Sequence, residues 1–343
     1  MRVLVTGNRG YIGSVLVQLL IEKSFDVIGY DIDFYSDNYL TPYNPEFLQI
    51  YKDTRDCSIE DLKSIDAIIH LAALSNDPLG ELSPHLTRDI NYSATMKIAR
   101  LAKEAGVKRF IYASSQSMYG ISKTDNELDE DDSEKNPVTE YAKTKWDAEI
   151  ELKKMSSPDF IVTSFRPSTV FGASPKLRTD IVFNNLVACA YTTGKIEILS
   201  DGTPWRPVVH IKDVCQAFIA GLEAPAELIG GRAFNVGIKN GNYTVRDLAE
   251  AAQKAVPGCE LIFLNQHTDP RSYKISFNRI FNELNEYYKP EWNLEKGGYE
   301  LVEFFRKTNF TENDFRGRKC TRLKQINYLM LNNEIDNNLR KIK

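Results

Sequence analysis

The stretch Gly7-Asn8-Arg9-Gly10-Tyr11-Ile12-Gly13 constrains this chain more than any other. Its three glycines stand between an apolar run at residues 3–5, which predicts a buried strand, and a helix predicted over 12–23. In that helix Ile12, Val15, Leu16, Leu19 and Leu20 share one face. A strand that turns on glycines straight into a helix gathers backbone N–H groups at the positive end of the helix. Such a turn suits a pyrophosphate, because glycine permits close approach and the helix terminus carries about half a positive charge. Gly7, Arg9, Gly10, Tyr11, Ile12 and Gly13 are therefore candidate cofactor contacts. A second strand, at 27–30, runs into Asp31. A carboxylate there accepts hydrogen bonds from an adenosine ribose diol and repels a 2′-phosphate, which favours NAD. Arg9 argues the other way, since a guanidinium in the loop suits such a phosphate. Asp31 carries the greater weight. Asp53 follows a third strand, at 47–51, and suits the adenine amino group, with an ordinary acidic loop as the lesser alternative.

The alternation continues. Apolar runs at 65–71, 110–113 and 160–165 predict strands, and 89–105 and 140–155 predict helices, the first ended by Gly106. This order predicts an α/β fold with a doubly wound parallel sheet covered on both faces. Residues 121–137 hold seven Asp or Glu and read as a surface loop. After Gly172 the pattern loosens. Helices are expected at 180–193 and 213–223, and strands at 196–199, 208–211 and 233–236. The last two strands are expected to rejoin the main sheet. The expected organisation is a nucleotide-binding domain over 1–172, with 208–238 contributing, and a smaller mixed domain over 173–343 for the substrate. Two terminal helical segments are expected at 323–330 and 334–342, after a solvated basic turn at 315–319.

Composition closes off several classes. With 43 basic and 47 acidic residues the net charge is −4, which excludes a nucleic-acid protein built on a basic field. Five dispersed cysteines form no CxxC pair, so neither a metal knuckle nor a disulfide scaffold is expected. No apolar run approaches the roughly 20 residues that cross a bilayer. Met1 leads at once into the first strand, without room for a signal peptide. A cytoplasmic protein with reduced thiols is the expectation.

Tyr141 and Lys145 stand four residues apart, on one face of the helix predicted at 140–155. An ammonium beside a phenol stabilises the phenolate, lowering a pKa from about 10, and a phenolate accepts the proton of a carbinol. Alone, this spacing describes many solvated helix surfaces. It gains weight from Ser114-Ser115-Gln116-Ser117-Met118-Tyr119-Gly120, which follows a strand and places a hydroxyl where it can share a substrate oxygen with the tyrosine. With the glycine loop, these are the parts of a nicotinamide-dependent hydride-transfer site.

Taken in order, Gly7–Gly13, Asp31, Asp53, His70-Leu71-Ala72-Ala73, Asn91, Ser114–Gly120, Tyr141 with Lys145, Arg166–Gly172 and Arg206–Asp213 resemble an extended short-chain dehydrogenase/reductase of the nucleotide-sugar epimerase/dehydratase kind. The resemblance implies roles. Ser115 is the catalytic hydroxyl, Tyr141 the general acid/base, and Lys145 tunes the tyrosine and binds the nicotinamide ribose. Leu71, Ala72 and Ala73 line the cofactor. Arg206 and Arg271, the latter in Asp269-Pro270-Arg271, clamp a nucleotide diphosphate, and Asn185 touches the same phosphates. Ser75 and Thr169 lie where the sugar sits. His70 and Asn91 are expected to be structural, and His210 and Asp213 to hold their loop.

The departures narrow the reaction. Related 4,6-dehydratases carry Asp-Glu where this chain has Gln116 and Ser117, and related 3,5-epimerases carry a cysteine at the place of Ser117. What the resemblance leaves is oxidation at one carbinol, most often C4. The expected function is an NAD-dependent epimerase of a nucleotide diphosphate hexose. The alternatives are a C4 dehydrogenase or ketoreductase, and, as a different class, a non-catalytic NAD-binding regulator. No metal is expected. The resemblance also implies a homodimer through the helices at 89–105 and 140–155, with Ile98, Leu101, Ala148, Ile150 and Leu152 as apolar material that core packing explains equally well.

Overall fold

The computed structural model describes residues 1–122, 124–266 and 272–342. Its strands are β1 Arg2–Thr6, β2 Asp26–Asp31, β3 Leu48–Tyr51, β4 Ala67–His70, β5 Arg109–Ala113, β6 Glu127–Leu128, β7 Ile161–Pro167, β8 Thr169–Phe171, β9 Lys195–Ile198, β10 Trp205–His210, β11 Arg232–Val236, β12 Asn242–Thr244, β13 Glu260–Phe263 and β14 Lys274–Ile275. Seven of them form one parallel sheet in the order β11-β7-β5-β4-β1-β2-β3. Side chains alternate across it. Val3, Val5, Ile69 and Ile111 pack towards one layer, with Leu16 of helix Tyr11–Glu22 and Phe218 of helix Ile211–Glu223. Leu4, Ile68, Phe110 and Tyr112 pack towards the other, with Ile98 of helix Ala94–Glu104 and Leu152 of helix Glu140–Met155. Strand order reverses between β1 and β4, and the carboxyl ends on either side of such a switch point frame a crevice.

Several expectations change. Of the two later strands, β11 joins the main sheet beside β7, but β10 does not. It pairs with β8 and β12 in a separate three-stranded sheet, where Val208 faces Thr169. The helix expected over 89–105 is a helical stretch from Pro84 to Glu104 with a π-type turn at Asp89–Ser93. Asn91, in that turn, binds both backbone groups of Leu74 (2.8 and 3.1 Å), so it is structural as expected. Residues 334–342 are not helical. Asp336 accepts the backbone N–H groups of Asn338 and Arg340, Leu339 adopts a φ of 53°, and Ile335 bridges Lys341. Asp and Asn side chains compete for backbone donors in this way and defeat a helical apolar spacing. Ile98, Ala148 and Leu152 are buried in the chain's own core, which leaves Leu101 and Ile150 as the partly exposed members of the expected dimer face. Helix Arg322–Leu331 docks Ile326 and Leu329, with Ile335 and Leu339 behind them, against Phe34, Leu74, Leu79 and Leu86. No helix among the described residues is long and apolar enough to cross a membrane.

Candidate active site

The glycine turn is shaped by what stands against it. Gly7 has a φ of +69°, and a Cβ there would lie 2.8 Å from the backbone nitrogen of Ala72. A Cβ on Gly13 would lie 2.3 Å from the carbonyl oxygen of Gly7. The first turn of helix Tyr11–Glu22 is thus pressed against the ends of β1 and β4, where it borders a cavity of about 600 Å³. Gly13→Ala is expected to push this turn open and weaken NAD⁺ binding by at least tenfold, an effect read by calorimetric titration. Unchanged affinity would show that the turn does not hold the cofactor.

Gly7, Gly10, Tyr11, Ile12, Gly13, Asp31, Asp53, Leu71, Ala72 and Ala73 all line the cavity. Asp31 accepts the backbone N–H groups of Arg9 (2.9 Å) and Asp33 (2.7 Å). Burial pushes its carboxyl pKa up, and those two donors pull it back. Arg9 departs from expectation, because its side chain does not line the cavity. It pairs with Asp33 at 2.7 Å and lies 5.4 Å from the ring centroids of Tyr39 and Tyr51. The one argument for a 2′-phosphate is thereby removed, and the cradle fits NAD. Asp53 is more heavily engaged than the sequence suggests. Arg55 binds its carboxylate at 2.6 Å, and Arg340, near the end of the chain, reaches it at 3.2 Å. An adenine contact there competes with two guanidinium groups.

Tyr141, Lys145 and Ser115 line the same cavity. Helix Glu140–Met155 is started by Thr139, whose hydroxyl caps Ala142 and donates to Asp77 at 2.7 Å. Tyr141 therefore sits in the first turn, and Lys145 one turn on. Burial pushes the Tyr141 phenol up, and its hydrogen bond with Ser115 opposes that shift. Lys145 makes its own contacts on the neighbouring strand. Its Nζ donates to the Ala113 carbonyl at 2.8 Å and lies 4.9 Å from the Tyr112 ring centroid, and burial lowers its pKa to about 7. Ser115 and, through its charge, Arg178 are the groups that favour the phenolate. Ser115 is itself fixed as the cap of the turn Gln116–Tyr119, accepting from the Ser117 backbone N–H at 3.1 Å.

The flanking residues have structural tasks. His70 is held between the hydroxyls of Thr6 and Thr95, each 2.8 Å away, and burial lowers its pKa to about 3, so it is neutral. His210 stacks on Trp292 (centroids 3.9 Å apart) and pairs with Glu300 at 2.7 Å. Asp213 accepts from the backbone of Glu291 and Trp292. Both hold their loop, as read from the sequence.

At the far end, Ser75, Thr169 and Arg206 line the cavity. Asn185 does not, and its amide donates to the Thr179 carbonyl at 2.8 Å. Its neighbour Asn184 does not line the cavity either; it is buried, accepting from Gly172 N and donating to Tyr11 Oη. Arg271 lies outside the described residues. Asp77, near Ser75 in the segment read as lying by the sugar, lines the cavity, whereas sequence reasoning missed Arg178, Asp180 and Arg322, which also line it. Arg178 pairs with Asp180 at 2.8 Å and donates to Ser75 Oγ at 3.2 Å. The proximity of Lys176, Arg178 and Asp180 to the end of β8 was a signal for the pair. Arg322 had none, being far away in sequence.

The model of the NAD dependent epimerase/dehydratase family matches residues 3–237. The chain belongs to that family. It is an enzyme of the family's oxidoreductase and isomerase chemistry, and the family's cofactor, NAD, is the one its cradle fits. It is similar to a UDP-glucose 4-epimerase of Mycolicibacterium smegmatis, 29% identical over 321 residues, 89% of this chain and 99% of that protein. It is also similar to UDP-glucuronic acid decarboxylase 1 of Arabidopsis thaliana, 25% identical over 329 residues, 92% of this chain and 72% of that protein. Among solved structures, MoeE5 in complex with UDP-glucose and NAD superposes with a TM-score of 0.75 at 25% identity, covering 90% of this chain and all of that one. The parallel sheet and its flanking helices are the family's fold.

Proposed function

We propose that this family member is an NAD-dependent C4 epimerase of a nucleotide diphosphate hexose. The observation that carries the reading is what surrounds Ser115 and Tyr141: Gln116 and Ser117, both lining the cavity, offer neither a carboxylate nor a thiol for a second acid/base step. Of the carboxylates that do line it, Asp77 accepts from Thr139 and Asp180 pairs with Arg178. The groups at the catalytic end thus suit proton movement at a single carbinol. The M. smegmatis relative, matched over almost its whole length, agrees with a 4-epimerase.

The residues divide the work. Gly7, Gly13 and Asp31 would hold the dinucleotide, which when bound supplies a hydride acceptor and donor at its nicotinamide ring. Ser115 shares the C4 hydroxyl with Tyr141 and steadies the phenolate. Tyr141 takes the hydroxyl proton as the carbinol is oxidised and returns it to the ketone oxygen once the sugar has presented its opposite face. Lys145, near neutrality, bridges the Ala113 carbonyl and the ribose region. Arg206 would grip the diphosphate, an anchor about which the sugar can turn. Asn338, Leu339 and Arg340 close over Arg55 and Asp53 at the Asp31 end of the cleft. That cover suits a cofactor kept through the cycle rather than exchanged.

The test is a proton NMR spectrum of nucleotide-sugar panels incubated with the enzyme and catalytic NAD⁺. A new anomeric signal at constant total sugar, without NADH, is the expected result. Ketone or hydrate signals matched by stoichiometric NADH would replace epimerase by dehydrogenase. The homodimer belongs to the same reading, and sedimentation at micromolar concentration showing a monomer alone would overturn it.

A further inference from the structure

The segment after residue 310 lies beyond the family match, yet it supplies part of the cleft wall. Arg322, the first residue of helix Arg322–Leu331, is 2% exposed and lines the cavity. Its Nη2 donates to the Lys176 carbonyl at 2.8 Å, and its guanidinium lies 4.4 Å from the Tyr35 ring centroid. Its Nη1 has no hydrogen-bond partner among the described residues. Arg178 lines the same wall and is also buried. Its carboxylate partner Asp180 also feels the charge of Arg322, while Lys176, a third buried cation, has Asp33 at 3.6 Å. A buried guanidinium with an unmet donor is costly, and a buried charge is retained where something else supplies the acceptor.

The segment is fixed in place independently of that arginine. Gln325 donates to the Phe34 carbonyl at 3.1 Å, and Ile326 and Leu329 enter the apolar cluster beside it. Arg322 is thus delivered to the cavity by a docked helix.

We propose that Arg322 and Arg178 form an anion subsite of the cleft, taking a phosphate oxygen of either the dinucleotide or the nucleotide sugar. The inference rests on the cleft being the site of those two ligands, and not on which reaction follows. The unmet Nη1 of Arg322 is a charged donor of the kind that suits a phosphate oxygen, and it stands beside Arg178, whose own donors rest on Asp180 and Ser75.

The experiment compares wild type with Arg322→Gln and Arg322→Lys by calorimetric titration. NAD⁺ is titrated into unliganded protein, and inorganic pyrophosphate into NAD⁺-saturated protein. Thermal unfolding of the unliganded proteins is measured alongside. Loss of a charge-assisted hydrogen bond predicts about tenfold to hundredfold weaker binding in Arg322→Gln, with Arg322→Lys retaining part of it. Weakening of NAD⁺ assigns the subsite to the dinucleotide. Weakening of pyrophosphate alone assigns it to the substrate diphosphate. A lower unliganded midpoint with both affinities unchanged in the folded variants makes Arg322 a structural residue and overturns the proposal. Failure of wild type to bind NAD⁺ would overturn the cleft reading, and this inference with it.

Discussion

Tyr141→Phe is expected to reduce turnover by roughly 10²–10⁴-fold, the range for loss of a positioned general acid/base, while leaving NAD⁺ affinity within a factor of a few. The substitution removes one oxygen. The cradle of Gly7, Gly13 and Asp31 stands on other elements, and the Thr139 cap that starts the helix is untouched. The two measurements are the anomeric-signal assay and calorimetric titration of NAD⁺. Near-normal turnover would remove Tyr141 from the chemistry and leave Ser115 without the partner that defines its role. A regulator that bound NAD without reacting would show no turnover in wild type either, so the comparison also separates that class.

Arg166→Met is expected to lower stability by about 3–5 kcal/mol, the cost of leaving a buried charge without its partner. Arg166 is 2% exposed and joins Glu149 at 2.6 Å, with a second contact through Nε. Its Nη1 also donates to the Tyr119 hydroxyl at 2.8 Å and to the Glu130 carbonyl at 3.1 Å. Urea unfolding of the variant and wild type measures the difference. The double variant Arg166→Met with Glu149→Leu is expected to recover much of the loss, because both charges leave together. The network also reaches the site. Gln116 donates to the Arg166 carbonyl at 3.0 Å, and Tyr119 ends the turn that Ser115 begins. Turnover should therefore fall in the single variant even where the protein is fully folded. A destabilisation below about 1 kcal/mol would mean that water reaches Glu149 and that the pair is not the anchor its burial indicates.

Local signals carried much of this fold. The helix over 140–155 has the bounds read from the sequence, because Thr139 caps its start and the chain leaves helical geometry at Ser156. The strand, glycine turn and helix at the amino terminus were equally legible, since each constraint lies within a few residues of the next. Helix Val245–Ala255 was missed although Thr244 and Asp247 form a capping box, a signal present in the sequence. Other features had no local trace. The apolar run at 208–211 is a buried strand, and nothing in it states which sheet it joins. Gln116, Ser117 and Tyr141 could be placed from spacing, but the effect of burial on Lys145 depends on Tyr112 and Ala113 from another element. Asn185 and Asn184 are adjacent and alike, and only the helix's orientation decides which of them is buried. Arg178 and Arg322 are arginines that an isolated sequence places in solvent.

The docking of Ile326, Leu329, Ile335 and Leu339 against Phe34, Leu74, Leu79 and Leu86 has a consequence for how the protein is made. On a ribosome, the strands and helices of the first half emerge early and can pair as they appear. Their outermost apolar side chains, however, belong to a cluster whose other half, residues 326–339, is synthesised much later. Until residues 326–339 have emerged, that surface faces water, the condition under which nascent proteins adhere to one another or to chaperones. Emergence of residues 326–339 is then the event that seals this side of the nucleotide half.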